Sequence, residues 1–370
     1  MAGLLDAAGR VLMEEVRADR DQPPLPRSMR DGFAVRAADL PGSLRLVGEV
    51  RAGSAFPGEV RAGEAVEIMT GAAVPRGADQ IVMVEHTVRE GDNVTTDKPG
   101  KPGEFINPAA SECRAGDVIV PAGTHMDFVH VAALALAGAT QARVYRRPRV
   151  AILSTGDEVV PVEQCPTEVQ VRNSNAWALA AQVRQAGGEP VILPSVADNE
   201  EATRRAIEMG LAHDLLLLSG GVSAGKYDFV EPALAALGAE FYFERVLIQP
   251  GQPLVFGRAR DRFFFGLPGN PSSTMATFEL FGRAAVQLLA GANEAPLPLL
   301  SGRLVREFRH KPGLTRFLPA RLAGDGVTVE LVPWAGSSDI AAMARANAWL
   351  VAGDDREHYA AGDWIQVIPR

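Results

Sequence analysis

Three short stretches place hydroxyls, carboxylates and glycines directly after apolar runs: ILSTGDE (152–158), LSGGVSAGKYD (218–228) and FGLPGNPSS (265–273). Each apolar run reads as a buried strand. In open α/β sheets, ligands bind beyond the C-terminal ends of such strands. Three loops converging on one edge predict a large polar ligand that carries phosphate. Within the second stretch, Gly220 and Gly221 let the backbone turn sharply and approach a ligand. Ser219 and Ser223 add hydroxyls, Lys226 adds a positive charge and Asp228 ends the loop. Successive exposed N–H groups there would form an anion nest. A lone Gly-Gly is more often a tight turn, and a lone Asp228 a helix cap; the other two loops reverse that weighing. In the first stretch, Thr155 and Gly156 supply donors ahead of Asp157 and Glu158. In the third, Pro268, Gly269 and Asn270 form a turn, and Pro271 falls at a first helical position. The N–H groups of Ser272 and Ser273 are then expected to face an anion. Alone, this stretch would read as an ordinary strand-to-helix turn.

A second set of polar residues lies largely outside these loops. RDGFA supplies Asp31, MTGAAVP supplies Thr70, SECRAG supplies Glu112, and Asp198 follows a strand in PSVADNE. Mostly acids, they would repel an oxyanion unless a cation intervened. Mg²⁺ meets that need, taking carboxylate oxygens on one side and phosphate oxygens and water on the other. Taken singly, each acid is more often a surface residue or a helix cap, Asp198 especially because Asn199 and Glu200 follow it. No Ser-His-Asp order, cysteine nucleophile context, HExxH or P-loop signature occurs. The G-x-G-x-x-G fingerprint is missing too, which argues against nicotinamide chemistry.

The elements that must position these residues follow from periodicity. Residues 3–17 suit a helix, with Leu4, Leu5, Ala8, Leu12 and Val16 near helical spacing, stopped by the prolines of 21–26. Residues 27–36 look extended, and from about 40 to 106 short alternating runs predict a small β-rich module containing GEVRAG twice. Residues 127–137 form a helix with Asp127 as N-cap and Gly138 as stop. From 149 to 291 strand and helix alternate, ending in a long helix after PGNP, which predicts a doubly wound sheet. The tail, 301–370, is short strands with glycines, predicting a small barrel.

Composition narrows the function classes. The chain has 370 residues, 47% of them hydrophobic, enough for a substantial core in several domains. A net charge of −8 argues against nucleic-acid or anionic-membrane binding, so any anion must be held locally. Cys113 and Cys165 have no metal-ligand spacing, and a reducing, cytoplasmic setting is expected. No apolar run approaches the ~20 residues of a membrane span.

Together RDGFAV, IMTGAAVP, PAGT at 121–124, LSTGDE, SGGVSAGKYD, QPGQP, GLPGNP and a Gly-Ser at 336–337 resemble the molybdopterin molybdotransferase family, the MoeA and gephyrin E-domain group. The resemblance runs over nearly the whole chain, and the set in this order is far more specific than any one motif. It implies a multidomain α/β protein: a linking region (1–36 with 107–146) enclosing a β-rich insert (37–106), an α/β molybdopterin-binding domain (147–293) and a C-terminal β-barrel (294–370). It implies an elongated homodimer, and Mg²⁺-dependent insertion of molybdate into adenylylated molybdopterin with release of AMP. Asp31, Thr70, Glu112 and Asp228 are then the catalytic candidates, and Glu158, Asp198 and Asp228 the metal ligands. Thr155, Gly156, Ser219, Gly220, Gly221, Ser223, Lys226, Gln249, Gln252, Pro268, Gly269, Asn270, Pro271, Ser272 and the late Ser337 are the substrate-binding candidates, Glu158 among them. A molybdopterin adenylyltransferase and recipient molybdoenzymes are the implied partners. Two departures stand out: Gln249 and Gln252 occupy places where the family often has lysines, and Glu112 stands where an Asp is usual. Amides donate hydrogen bonds but bring no charge. The alternatives are a molybdopterin adenylyltransferase, usually a single α/β domain, and a non-catalytic cofactor-binding or scaffold member.

Overall fold

A computed structural model of the chain describes residues 1–221 and 229–370. They divide into two compact units. The first comprises residues 1–8, 14–122 and 126–143, and the second residues 9–13, 123–125 and 144–370.

The first unit is built on a six-stranded sheet in the order Gln80–Met83, Gly32–Val35, Glu64–Ile68, Gly42–Val50, Asn93–Thr96, Val88–Glu90. Side chains alternate across a strand, so Phe33 and Val35 join Ala65 and Val82 on one face, while Ala34 joins Val66, Ile68 and Ile81 on the other. Both faces are covered, which is why the central segment GFAV is apolar throughout. The helix Phe128–Leu136 begins in a capping box: Asp127 Oδ1 accepts from the amides of Val129 and His130, and His130 Nδ1 accepts from the Asp127 amide.

The expected helix over 3–17 is not formed. Only Leu4–Ala7 is helical. Gly9, at φ +71°, takes the left-handed conformation that ends the turn. Beyond it Val11 and Leu12 bridge His125 and Val144, and Val16–Arg17 pairs with Val118–Val120. Burial of Val11 and Leu12 outweighs helical spacing, and Leu5, expected on the apolar face, is 87% exposed.

The second unit holds the α/β sheet, in the order Glu189–Ile192, Arg149–Ser154, Leu215–Ser219, Arg262–Leu267, Val255–Ala259, Glu240–Phe243. The first four strands are parallel and the last two antiparallel to their neighbours. The run LLLL at 215–218 is fully buried because both faces are covered. Leu216 and Leu218 pack on Ala206, Ile207 and Leu234, and Leu215 and Leu217 pack on Leu179, Val183 and Phe278. The chain passes from Arg149–Ser154 outward to Glu189–Ile192 and then returns to Leu215–Ser219 on the other side. The strand order therefore reverses between Arg149–Ser154 and Leu215–Ser219. The long helix expected after PGNP is interrupted: Pro271–Thr277 and Arg283–Leu289 are α-helical, with a π-turn at Phe278–Gly282 between them.

The C-terminal strands Leu300–Leu304, Thr315–Leu322, Thr328–Leu331, Ala348–Ala352 and Trp364–Pro369 close on themselves. Thr315–Leu322 pairs with both Thr328–Leu331 and Ala348–Ala352, completing a five-stranded barrel. Among the described residues no helix is long and apolar enough to cross a membrane.

Candidate functional site

Where the strand order reverses, the loops leaving Ser154 and Ser219 must diverge, and a crevice opens between them. A cavity of about 830 Å³ lies there. Its wall includes Thr155, Gly156 and Glu158 from the first loop, Ser219, Gly220 and Gly221 from the second, and Pro268, Gly269, Asn270 and Pro271 from the third. Asp198 joins them from the end of the outer strand. The three loops singled out in the sequence thus converge, bringing two carboxylates to one wall.

Backbone hydrogen bonds continue the sheet into this wall. The Thr155 amide donates to Ser219 O at 3.1 Å, Gly156 to Val196 O at 3.2 Å and Gly220 to Leu267 O at 3.1 Å. Gly220 sits at φ +92°, and a Cβ there would come within 2.9 Å of Thr155 O. Only glycine permits both this conformation and this closeness. The Asp157 carboxylate accepts from the Asp198 amide at 3.0 Å, tying the TGD loop to the Asp198 segment.

Thr155 is 6% exposed, and among the described residues its hydroxyl has no hydrogen-bond partner. A buried hydroxyl left unpaired costs about 1–3 kcal/mol.

The expectation for Ser272 needs correction. Its amide and hydroxyl both donate to Ser337 O, at 2.9 and 2.8 Å, and the residue is fully buried. Its N–H is occupied by the barrel and does not face an anion. Ser337 thereby acts through its carbonyl, while its neighbours Ser338 and Ile340 line the cavity. Gln249 is exposed on a strand that pairs with Thr315 and Arg316. Gln252 uses its carbonyl to accept from Val246 and Leu254, and Pro253 beside it reaches the cavity. Ser223, Lys226 and Asp228 lie outside the described residues.

Asp31 and Thr70 meet in the first unit. Asp31 Oδ1 accepts from the Thr70 amide at 2.6 Å and from its hydroxyl at 2.7 Å. These bonds, the backbone one foremost, hold the Asp31 carboxyl below its ordinary pKa. Glu112 is fixed through its amide to Gln22 O at 2.9 Å, and among the described residues it makes no hydrogen bond to Asp31 or Thr70.

Two wall residues escaped the sequence reading as functional. Asn173 caps the helix Ser174–Gln185 and Asn175 is its second residue. Asn173 Oδ1 accepts from the Ala176 amide and the Ser154 hydroxyl, both at 3.1 Å. Asn175 Nδ2 donates to Ser219 Oγ at 2.9 Å and to Gly269 O at 2.7 Å. Their signal was the N-S-N spacing itself, two amides flanking a helix start beside a strand end.

Among the described residues no group of three or more His, Cys, Asp or Glu stands close enough to hold a metal by itself. Mg²⁺ does not need such a cage, being held through one or two carboxylates plus substrate phosphates and water. Glu158 and Asp198 on one wall fit that donor set.

Three family models match the chain: MoeA N-terminal region (domain I and II) over residues 2–138, probable molybdopterin binding domain over 151–288, and MoeA C-terminal region (domain IV) over 301–370. A molybdopterin molybdenumtransferase from a Nostoc species is 40% identical over 296 residues, covering 77% of this chain and 68% of the relative. The one from Staphylococcus epidermidis is 31% identical over 373 residues, covering 98% and 89%. A crystal structure of the molybdopterin biosynthesis moeA protein from Pyrococcus horikoshii superposes with a TM-score of 0.86 at 27% identity, covering 100% of this chain and 94% of that one.

Proposed function

The chain belongs to the MoeA family of molybdopterin molybdenumtransferases, enzymes of molybdenum cofactor biosynthesis, and from that premise we propose how its own residues carry the reaction. The substrate is adenylylated molybdopterin. Its phosphates and adenylate sit in the cavity at the strand-order reversal, held by Thr155, Gly156, Ser219, Gly220, Gly221, Pro268, Gly269, Asn270 and Pro271, with Ser223 and Lys226 from the SGG loop. The observation that carries this reading is the convergence of the TGD, SGG and PGN loops on the wall of a cavity large enough for a nucleotide-sized ligand.

Glu158 and Asp198, with Asp228, would hold Mg²⁺ against the phosphates. When bound, the ion supplies charge neutralisation and polarises phosphoryl oxygens. Thr70 of the first unit, and Ser337, Gln249 and Gln252 of the second, are separate candidates for contact with molybdate. Asp31, kept ionised by Thr70, orients water, with Glu112 as a further carboxylate. The substrate's dithiolene sulfurs ligate molybdenum, and the adenylyl group leaves as AMP. The protein contributes proximity and preorganised donors rather than a covalent intermediate.

The same reading carries four regions, with a linking region over 1–36 and 107–146, an insert over 37–106, the α/β domain over 147–293 and the barrel over 294–370. It also carries a homodimer. Phe128 (81% exposed), Val129, Leu136 and Leu5 leave apolar surface on the first unit that a second copy would cover. A molybdopterin adenylyltransferase would supply the substrate and molybdoenzymes would receive the product.

Reconstitution with purified protein, adenylylated molybdopterin, Mg²⁺ and either molybdate or tungstate tests the proposal. Oxyanion-dependent AMP release is expected, and Thr155→Val should weaken pterin binding. Adenylate formation from molybdopterin and ATP without molybdate would overturn it in favour of an adenylyltransferase, and tight product binding without turnover in favour of a scaffold.

A further inference from the structure

We propose that Asn175 is a positioning residue for the substrate cavity: its side-chain amide sets the Ser219 hydroxyl as a donor and occupies the Gly269 carbonyl, so that two adjacent strand-end loops offer an anionic group donors instead of lone pairs. This rests on the cavity being the site of the phosphate-bearing substrate.

The hydrogen-bond polarity follows from the partners. Gly269 O can only accept, and the Asn175 side-chain atom 2.7 Å from it must therefore be the nitrogen. The same nitrogen lies 2.9 Å from Ser219 Oγ, so the serine oxygen accepts there and its own proton must point elsewhere. Ser219 is 3% exposed, and among the described residues no protein group takes that proton. Asn175, Ser219 and Gly269 all line the cavity. A phosphate oxygen entering there meets an oriented O–H and a carbonyl already engaged. With the amide removed, it would meet a free carbonyl lone pair and a hydroxyl free to rotate.

Asn175 also stands two residues after Asn173, which accepts from Ser154 at the end of the strand Arg149–Ser154. One helix start thus brackets the ends of all three strands that feed the cavity.

The test compares Asn175→Ala with the isosteric Asn175→Asp. A carboxylate reverses both effects, because it accepts the Ser219 proton and faces the Gly269 carbonyl with negative charge. The affinity for molybdopterin should fall roughly tenfold in Asn175→Ala and roughly a hundredfold in Asn175→Asp. At saturating adenylylated molybdopterin, kcat should stay within about threefold of wild type, the loss appearing in KM. The gap between Asp and Ala should narrow from about pH 8 to about pH 5.5 as the carboxyl gains a proton to donate. In a Ser219→Ala background it should shrink to within about twofold. If the Asp variant does not fold, Asn175→Ala combined with Ser219→Ala serves instead, and should bind no more weakly than the weaker of the two single variants.

Equal affinities for Ala and Asp at every pH, an Asp–Ala gap unchanged without the Ser219 hydroxyl, or additive losses in the double variant would each overturn the role of Asn175. Thr155→Val separates the two levels. If it weakens pterin binding while the Asn175 variants bind as wild type, only the positioning role fails; if all bind as wild type, the cavity assignment fails with it.

Discussion

Thr70 grips a single oxygen of Asp31 twice, through its amide at 2.6 Å and its hydroxyl at 2.7 Å. Two donors on one oxygen favour the charged form. Thr70→Val removes the hydroxyl and leaves the amide. The Asp31 carboxyl should then titrate closer to its ordinary value in a side-chain NMR experiment. Molybdate-dependent AMP release should fall roughly tenfold in Thr70→Val and further in Asp31→Asn. An unchanged rate in Asp31→Asn would remove Asp31 from the reaction.

The proposed metal carboxylates predict a dependence on Mg²⁺ concentration. Glu158→Gln and Asp198→Asn should each raise the Mg²⁺ needed for half-maximal turnover by roughly tenfold or more. Asp228→Ala should leave a folded protein with little AMP release. Wild-type Mg²⁺ response in all three would refute the assignment.

Gly220→Ala forces a Cβ against Thr155 O in a conformation L-residues rarely adopt. A loss of about 1–3 kcal/mol of stability is expected, with weaker pterin binding, because the loop must move to relieve the contact. Thermal melts and binding titrations on the same sample report both. A variant of normal affinity would show that the wall tolerates displacement.

Acid stability should depend on Asp214. Its carboxylate accepts from Arg146 at 2.5 and 2.6 Å and from the Arg149 amide at 2.8 Å, and its pKa is lowered to about 2, the Arg146 hydrogen bond being the largest cause. A lowered folded pKa adds stability above the unfolded value, and that stability is lost as pH falls from about 4 to about 2. Asp214→Asn should cost about 1–2 kcal/mol at neutral pH, allowing for the solvent around Arg146, and the difference should vanish near pH 2. Urea unfolding across that range measures it; a penalty independent of pH would contradict the linkage.

Phe128→Glu should reduce self-association if the exposed apolar surface of the first unit meets a second copy. Light scattering after gel filtration would then give a monomer mass for the variant at concentrations where wild type is a dimer. Equal masses would place the contact elsewhere.

The sheet and its loops were legible because their signals are local and redundant. Four consecutive leucines shortly before Gly-Gly admit little but a strand covered on both faces, and Asp127 stands where a cap belongs. The first seventeen residues misled because their apolar spacing suits a helix, whereas Val11 and Leu12 gain burial only by pairing with residues more than a hundred positions away. Ser272 misled for a related reason. Its free N–H followed from the helix start alone, and the acceptor that takes it, Ser337, arrives from a barrel loop 65 residues later. Asn175 was invisible because its two partners come from separate loops.

The bond from Ser272 to the Ser337 carbonyl carries an evolutionary corollary. Exchanging the terminal barrel between homologues would transplant Ser338 and Ile340 along with it. Drift in that one loop and helix start would therefore retune which oxyanion or pterin is accepted while every strand of the neighbouring sheet stays the same.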